Sequence, residues 1–342
     1  MLVSENVSNA LLAEDQRYIL SRIASLLPEL KHAKILLTGG TGFFGKSLLL
    51  ALQGIEGINV TVLSRDPDLF IKEFPYLQFP GLKYIKGDTR NFEVNEAFTH
   101  VIHAATAASA VLNESNPLAM LSTILEGTQH VLDLCVAQAE KPQVLFVSSG
   151  AVYGRQPADI AHISEAYQCA PDIYNTHNAY GIGKYTAEHL CCQYHHLYHL
   201  SIKMARCFAF VGPYLPLDAH FAVGNFIRDG LNGGPIKVNS DGSAFRSYQY
   251  AADLVVWLLH ILVRGQSCYP YNVGSDEDYD IEQIAHKVAS FFNTSVEIAK
   301  KRDVDVLPAR YVPSVQRAMD ELNLPANLVL EVALAKTISS FF

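Results

Sequence analysis

Tyr180 and Lys184 close the stretch A-Y-G-I-G-K, and on a helix that spacing puts phenol and ammonium on one face. A free tyrosine ionises near pH ~10 and is a poor base at neutrality, but an adjacent ammonium stabilises its phenolate. Such a pair can pass a proton to or from a hydroxyl or ketone oxygen. Upstream, the apolar run 144–147 ends in S-S-G-A-V-Y-G, which sets hydroxyls at the carboxyl end of a strand. Of these, Ser149 is placed to hydrogen-bond a substrate oxygen beside Tyr180. Each signal is weak alone, since helix surfaces and Ser/Gly turns produce both patterns by chance.

A third element gives them a cofactor. Residues 38–45 read T-G-G-T-G-F-F-G directly after the apolar Ile35-Leu36-Leu37. Gly39 suits the tight turn, Gly42 lets the backbone approach phosphates, and Gly45 lets helix and strand pack closely. The helix that follows, 46–52 with its start near Phe43, offers free N–H groups and a positive dipole end to a pyrophosphate.

These residues need a scaffold, and the chain supplies strands alternating with helices. Strand-like runs lie at Lys34–Thr38, Asn59–Ser64, Leu82–Lys86, His100–His103, 143–148 and 202–208, with helical patterns between, notably 120–138 and 180–198. Apolar strands separated by helices predict a doubly wound α/β fold, a Rossmann-like parallel sheet with ligands outside the carboxyl ends of its strands. Residues 1–30 read as a helical extension, with a helix over 11–27 ended by Pro28 and packed on the core or a partner subunit. Residues 31–212 form the dinucleotide-binding domain, and 213–342 a smaller substrate lobe with segments returning to the sheet.

Composition bounds the partners. At 342 residues, 49% apolar and 18% charged, the chain is ordinary globular protein. A net charge of −8 offers no basic footprint for nucleic acid or anionic membrane. With no apolar run of transmembrane length and no signal-peptide pattern, a cytoplasmic location is expected. Six cysteines without framework spacing read as reduced thiols. Cys192, His196 and His199 have helical spacing that permits a metal, but spacing alone is permissive and no metal is expected.

Taken in order, the three elements resemble the extended short-chain dehydrogenase/reductase family of nucleotide-sugar epimerases and dehydratases, from Lys34 onward. Val101-Ile-His-Ala-Ala105 is similar to the family's fourth strand beneath the cofactor, and Gly87-Asp88 to its adenine-side acidic position. The resemblance implies cofactor contacts at Gly39, Thr41, Gly42, Phe43, Phe44 and Gly45. It implies others at Ser64, Arg65, Asp88, Ala104, Tyr180 and Lys184. Catalysis would fall to Ser149, Tyr180 and Lys184. Arg246-Ser-Tyr-Gln-Tyr-Ala-Ala-Asp253 and Arg310-Tyr-Val-Pro313 resemble segments whose arginines grip a substrate diphosphate. Gly224-Asn225-Phe226 fits the stretch around the nucleotide base, and Tyr271-Asn-Val-Gly274 also matches. Relatives dimerise through helices equivalent to 120–138 and 180–198, so a homodimer is implied.

Departures from the family pattern narrow the chemistry. Ser64-Arg65 stands where an Asp or Glu would bind an NAD ribose, and arginine suits a 2′-phosphate. NADP is favoured, with NAD possible. Family dehydratases follow the hydroxyl residue with Asp-Glu, and Gly150-Ala151 stands here instead. Decarboxylases keep a Glu that is missing too. Ala209 and Ile124 each replace a usual Asn, so the sugar pocket is not that of the common UDP-galactose epimerase. The expected activity is hydride transfer at C4 of a nucleotide sugar, by 4-epimerisation or 4-keto reduction. Two alternatives stand beside it: a 4,6-dehydratase using an acid from another loop, such as Glu165, and a non-catalytic cofactor-sensing protein.

Overall fold

In the computed structural model, residues 9–106, 110–218, 221–303 and 305–342 are described. Residues 1–8 of the expected N-terminal extension lie outside them. The first half of the chain runs α1 (Asn9–Arg22), α2 (Leu27–Leu30), β1 (Lys34–Thr38), α3 (Phe43–Leu52), β2 (Asn59–Ser64), α4 (Pro67–Glu73), β3 (Leu82–Lys86) and β4 (His100–His103). It continues through α5 (Ala110–Ser115), α6 (Pro117–Ala137), β5 (Gln143–Ser149), α7 (Ala179–Tyr198) and β6 (Ile202–Cys207). The second half holds β7 (Phe210–Val211), α8 (Ala222–Leu231), β8 (Ile236–Val238), β9 (Phe245–Arg246), β10 (Gln249–Tyr250), α9 (Ala251–Arg264) and β11 (Pro270–Val273). It ends with β12 (Tyr279–Asp280), α10 (Ile281–Phe292), β13 (Val296–Ile298), β14 (Arg310–Tyr311), α11 (Gln316–Leu322) and α12 (Leu330–Ser339).

Seven strands form one sheet in the order β11-β6-β5-β4-β1-β2-β3, every neighbouring pair parallel. Their apolar runs follow from position. β1, β4, β5 and β6 are covered by helices on both faces and carry almost no exposed residue. The strand order reverses between β1 and β4, so a crevice opens at their carboxyl ends. A buried chain of hydrogen bonds closes the floor of that crevice. The Ala105 N–H donates to Thr38 Oγ1 (3.1 Å), Thr38 lies 2.7 Å from His103 Nδ1, and His103 Nε2 lies 3.1 Å from Thr128 Oγ1. Because Thr128 donates onward to the Ile124 carbonyl, Nε2 carries the imidazole hydrogen and Thr38 donates to Nδ1. Burial pushes the His103 pKa down to about 3, so the ring stays neutral.

The N-terminal segment differs from its expected form. α1 stops at Arg22, and Pro28 sits in the first turn of α2 instead of ending a helix over 11–27. Proline fits there because a helix's first N–H groups have no intrahelical acceptor. The segment packs on the core: Leu12, Ile19, Ile23, Leu26 and Leu30 are buried in the main cluster. Tyr18 donates to Asp253 (2.6 Å) and Tyr250 to Asp15 (2.6 Å), which fastens α1 to the start of α9. No helix among the described residues is long and apolar enough to cross a membrane.

Candidate active site

The glycine-rich turn is shaped by contact as much as by conformation. Gly39 has φ +77°, and a Cβ there would lie 2.6 Å from the Ala104 carbonyl oxygen at the end of β4. A Cβ at Gly45 would stand 2.4 Å from Gly40 Cα, so the start of α3 lies against the turn itself. Gly42 is the N-cap of α3, with no side chain capping the helix. Its own Cβ would meet only the Gly39 oxygen, at 3.4 Å, so the approach to the open helix end is clear. The residues present fit a pyrophosphate: a backbone cradle, an uncapped helix N-terminus and a neutral floor.

Along the β2 and β3 edge, Ser64 is buried and its hydroxyl accepts the Asp66 N–H at 3.2 Å. Arg65 is exposed, close enough to Asp88 to help hold that carboxyl below its usual range. The main cause of that lowering is Arg90, whose guanidinium makes hydrogen bonds to both Asp88 oxygens at 2.8 and 3.0 Å.

At the carboxyl end of β5, Ser149 caps a short 3-10 turn by accepting the Ala151 N–H at 3.2 Å. Tyr180 lies in the first turn of α7, with Ser149 near enough to bear on its phenol. Burial raises the Tyr180 pKa to about 12, and the Ser149 contact opposes that rise. Lys184 follows one turn later, buried, with its ammonium donating to the Val147 carbonyl at 2.7 Å. Burial lowers its pKa to about 8. The structure therefore sets Ser149 near Tyr180 at the carboxyl end of β5. Lys184 is directed at Val147, and burial is the main influence on the phenol's pKa.

The two arginines come together less symmetrically than the sequence suggests. Parallel pairing of β14 with β9 sets Arg310 beside Phe245 and Tyr311 beside Arg246. Arg310 is already paired, 2.8 Å from Asp278, with its guanidinium 4.1 Å over the Phe245 ring. Arg246 donates to the Phe245 carbonyl at 2.7 Å. Asn225 stands half-buried in the first turn of α8. Glu165, the candidate acid from another loop, is committed elsewhere. It accepts the Asn272 N–H at 2.8 Å and faces Arg317 at 4.0 Å. Position 150 is closed to any side chain, since a Cβ would lie 2.7 Å from the Phe208 ring. Cys192, His196 and His199 form no cluster of metal ligands among the described residues.

Three contributors escaped sequence reasoning. Asn113 on α5 accepts the Tyr180 backbone N–H at 3.0 Å and donates to the His177 carbonyl at 2.7 Å, which caps α7 from outside. Glu188, one turn beyond Lys184, takes a two-point contact from Arg206 and a hydrogen bond from Ser148 (2.6 Å). Its spacing after Tyr180 and Lys184 was the available signal. Tyr311, whose ring packs on Phe208 with centroids 4.7 Å apart, gave no signal beyond its place beside Arg310.

Comparison with known proteins agrees with this geometry. Residues 35–274 match the model of the NAD dependent epimerase/dehydratase family. UDP-glucuronic acid decarboxylase 1 of Arabidopsis thaliana is 28% identical over 91% of this chain and 70% of its own length. An epimerase from the methanogen Methanothermobacter thermautotrophicus superposes with a TM-score of 0.79 at 22% identity, covering 94% of this chain and 96% of its own. A UDP-glucuronic acid 4-epimerase from Bacillus cereus, solved with UDP-glucuronic acid and NAD, gives 0.77 at 21% identity, covering 90% and 98%. On the match over residues 35–274, the chain belongs to the NAD dependent epimerase/dehydratase family of extended short-chain dehydrogenase/reductases.

Proposed function

We propose that this enzyme transfers hydride at C4 of a nucleotide-diphosphate sugar, as a 4-epimerase or 4-ketoreductase. The observation that carries this reading is the Ser149–Tyr180 hydroxyl pair beside a position 150 filled by Phe208. That pair can hold and protonate an oxygen, and neither hydroxyl is a carboxyl that could remove a proton from carbon. Glu165, the acid of the dehydratase alternative, is turned toward Asn272 and Arg317, which favours hydride transfer alone.

A nicotinamide dinucleotide supplies or accepts the hydride when bound. Gly39, Thr41, Gly42, Phe43, Phe44 and Gly45 would cradle its pyrophosphate, with Ala104 and Asp88 along its length. Lys184 binds the ribose beside the nicotinamide, Ser149 aligns the reacting oxygen, and Tyr180 gives or takes its proton. Arg246 and Arg310 hold the substrate diphosphate, and Asn225 lies toward the base. Residues 31–212 carry the dinucleotide and 213–342 the sugar nucleotide. Two copies pair through 120–138 and 180–198, a reading supported by the exposed Tyr185, Leu197 and Tyr198 on α7. The enzyme works in the cytoplasm.

The cofactor is NADP, gripped at its 2′-phosphate by the exposed Arg65. Arg65→Ala should weaken NADP roughly ten- to a hundredfold, the worth of a two-point charged contact, and leave NAD nearly untouched. Equal losses for both, or tighter NAD binding by the parent in a fluorescence titration, would reject this preference. The reaction itself is tested by incubating the enzyme with nucleotide hexoses in heavy water. Inversion at C4 without deuterium at C5 is the expected result for an epimerase, and consumption of reduced cofactor with a 4-keto sugar for a reductase. A 4-keto-6-deoxy product carrying solvent deuterium would instead reveal a dehydratase.

A further inference from the structure

The first turn of α7 is poorly equipped to hold itself. It reads Ala179-Tyr-Gly-Ile-Gly183, and glycine is a weak helix former because it loses the most backbone freedom on ordering. The N-cap residue, Asn178, makes no capping bond, and its side chain donates instead to the Asp172 carbonyl at 3.0 Å. No acidic residue stands in the turn to meet the positive end of the helix dipole. Close packing explains the glycines. A Cβ at Gly181 would lie 2.7 Å from the Ala151 carbonyl oxygen, and one at Gly183 would lie 2.9 Å from the Ile124 side chain. The turn that starts with Tyr180 is thus pressed between the short turn capped by Ser149 and the flank of α6.

Asn113, half-buried on α5, supplies what the turn lacks. Its Oδ1 accepts the Tyr180 N–H at 3.0 Å, one of the first N–H groups of α7, which have no acceptor within the helix. Its Nδ2 donates to the His177 carbonyl at 2.7 Å. Only one orientation of the amide satisfies both bonds, so the side chain forms a fixed bracket across 177–180. The base of the bracket is itself anchored. The Asn116 N–H donates to the Leu112 carbonyl at 2.8 Å, and the Asn116 side chain accepts the Ala119 N–H at 3.1 Å, which joins α5 to the first turn of α6. We propose that Asn113 is a positioning residue for proton transfer: by holding the backbone of Tyr180, it sets where the phenol stands against Ser149 and the reacting oxygen. A misplacement of about 1 Å near a reacting group can cost about a hundredfold in rate, so such a bracket bears directly on turnover. The inference rests on the hydride-transfer reading above and deepens it, naming the group outside α7 that fixes the proton donor.

The test compares the parent with Asn113→Ala and Asn113→Asp, measuring kcat, KM, cofactor affinity and thermal midpoint for each. The Asp variant keeps an oxygen for the Tyr180 N–H and loses the amide hydrogens that reach His177. Asn113→Ala is expected to keep KM and cofactor affinity and to lose about 5- to 30-fold in kcat, the weight of one helix-end hydrogen bond. Asn113→Asp should turn over faster than Asn113→Ala. A parental kcat in the Ala variant, an Asp variant as slow as the Ala variant, or a KM or cofactor affinity that worsens in step with kcat would each overturn the proposal. A readout independent of turnover is hydrogen exchange at the Tyr180 amide, followed by NMR on labelled protein. That amide should exchange several-fold faster in Asn113→Ala and stay protected in Asn113→Asp, while amides in the middle of α7 are unchanged. If the Ala variant does not fold, the Asp variant carries the test, since an unprotected Tyr180 amide there refutes the bracket. An unchanged amide in Asn113→Ala refutes the proposal whatever the substrate. A faster amide, with no turnover of any nucleotide sugar by the parent, refutes the hydride-transfer reading and leaves the bracket standing.

Discussion

Tyr180→Phe should bind the dinucleotide as the parent does and lose about a hundred- to ten-thousand-fold in kcat, the usual contribution of one general acid–base group. The substitution removes an oxygen without opening a void, and the ring keeps its place in the first turn of α7. The pH profile carries the sign of the role. Burial raises the Tyr180 pKa to about 12, so across the neutral range the phenol is fully protonated. Ketone reduction needs that proton and should therefore be level up to the phenol's pKa, then fall. Alcohol oxidation needs the phenolate and should climb with pH over the same range. An oxidised nicotinamide, being a cation, would move the turning point downward. In Tyr180→Phe both slopes should vanish with the rate. A variant turning over at near-parental speed, or keeping the pH slopes, would show that another group moves the proton.

The pattern of legible and illegible features follows from how far apart in the chain each one's causes lie. Six of the seven strands of the parallel sheet were readable to within a residue, five of them because parallel strands buried on both faces are apolar nearly throughout. The edge strand β3 has no buried residue, and β11 was not read as a strand. The Tyr180–Lys184 pairing was readable because a helix repeats within one turn. Where Lys184 points was not, since the Val147 carbonyl that receives it belongs to a different strand. Pro28 was ambiguous on its face, as proline can stop one helix or open the next. Arg310 was readable as a cation, but its partner Asp278 and its stacking on Phe245 arise from tertiary contacts. Tyr311 was least visible, because two strands of two residues each, distant in sequence, must pair before its ring meets Phe208. The closure of position 150 has the same origin. The sequence shows that an acid is missing there, and only the packing of Phe208 shows that none can be added.

Arg206→Met should destabilise the fold by about 3–5 kcal/mol, because it strands a buried carboxylate. Side chains of Arg206 and Glu188 are only 13% and 8% exposed. The guanidinium donates to the Glu188 oxygens at 3.0 and 2.7 Å, and its carbon lies 4.7 Å from the Tyr153 ring centroid. Without the arginine, Glu188 keeps the Ser148 hydroxyl as its remaining side-chain donor among the described residues and must either bear an unpaired charge or take up a proton. Pairing Arg206→Met with Glu188→Leu removes the orphan charge, and the double variant should recover most of the loss in urea unfolding. A single variant within about 1 kcal/mol of the parent, or a double variant no more stable than the single, would show that the pair is not what holds this corner. Activity should not recover with stability. Glu188 ties α7 to Ser148, next in the chain to Ser149, so the network sets the face of α7 that carries Tyr180 against the strand end that carries its partner. A double variant that folds well but turns over slowly is the expected signature of a salt bridge whose main service is to register the Ser149 and Tyr180 hydroxyls.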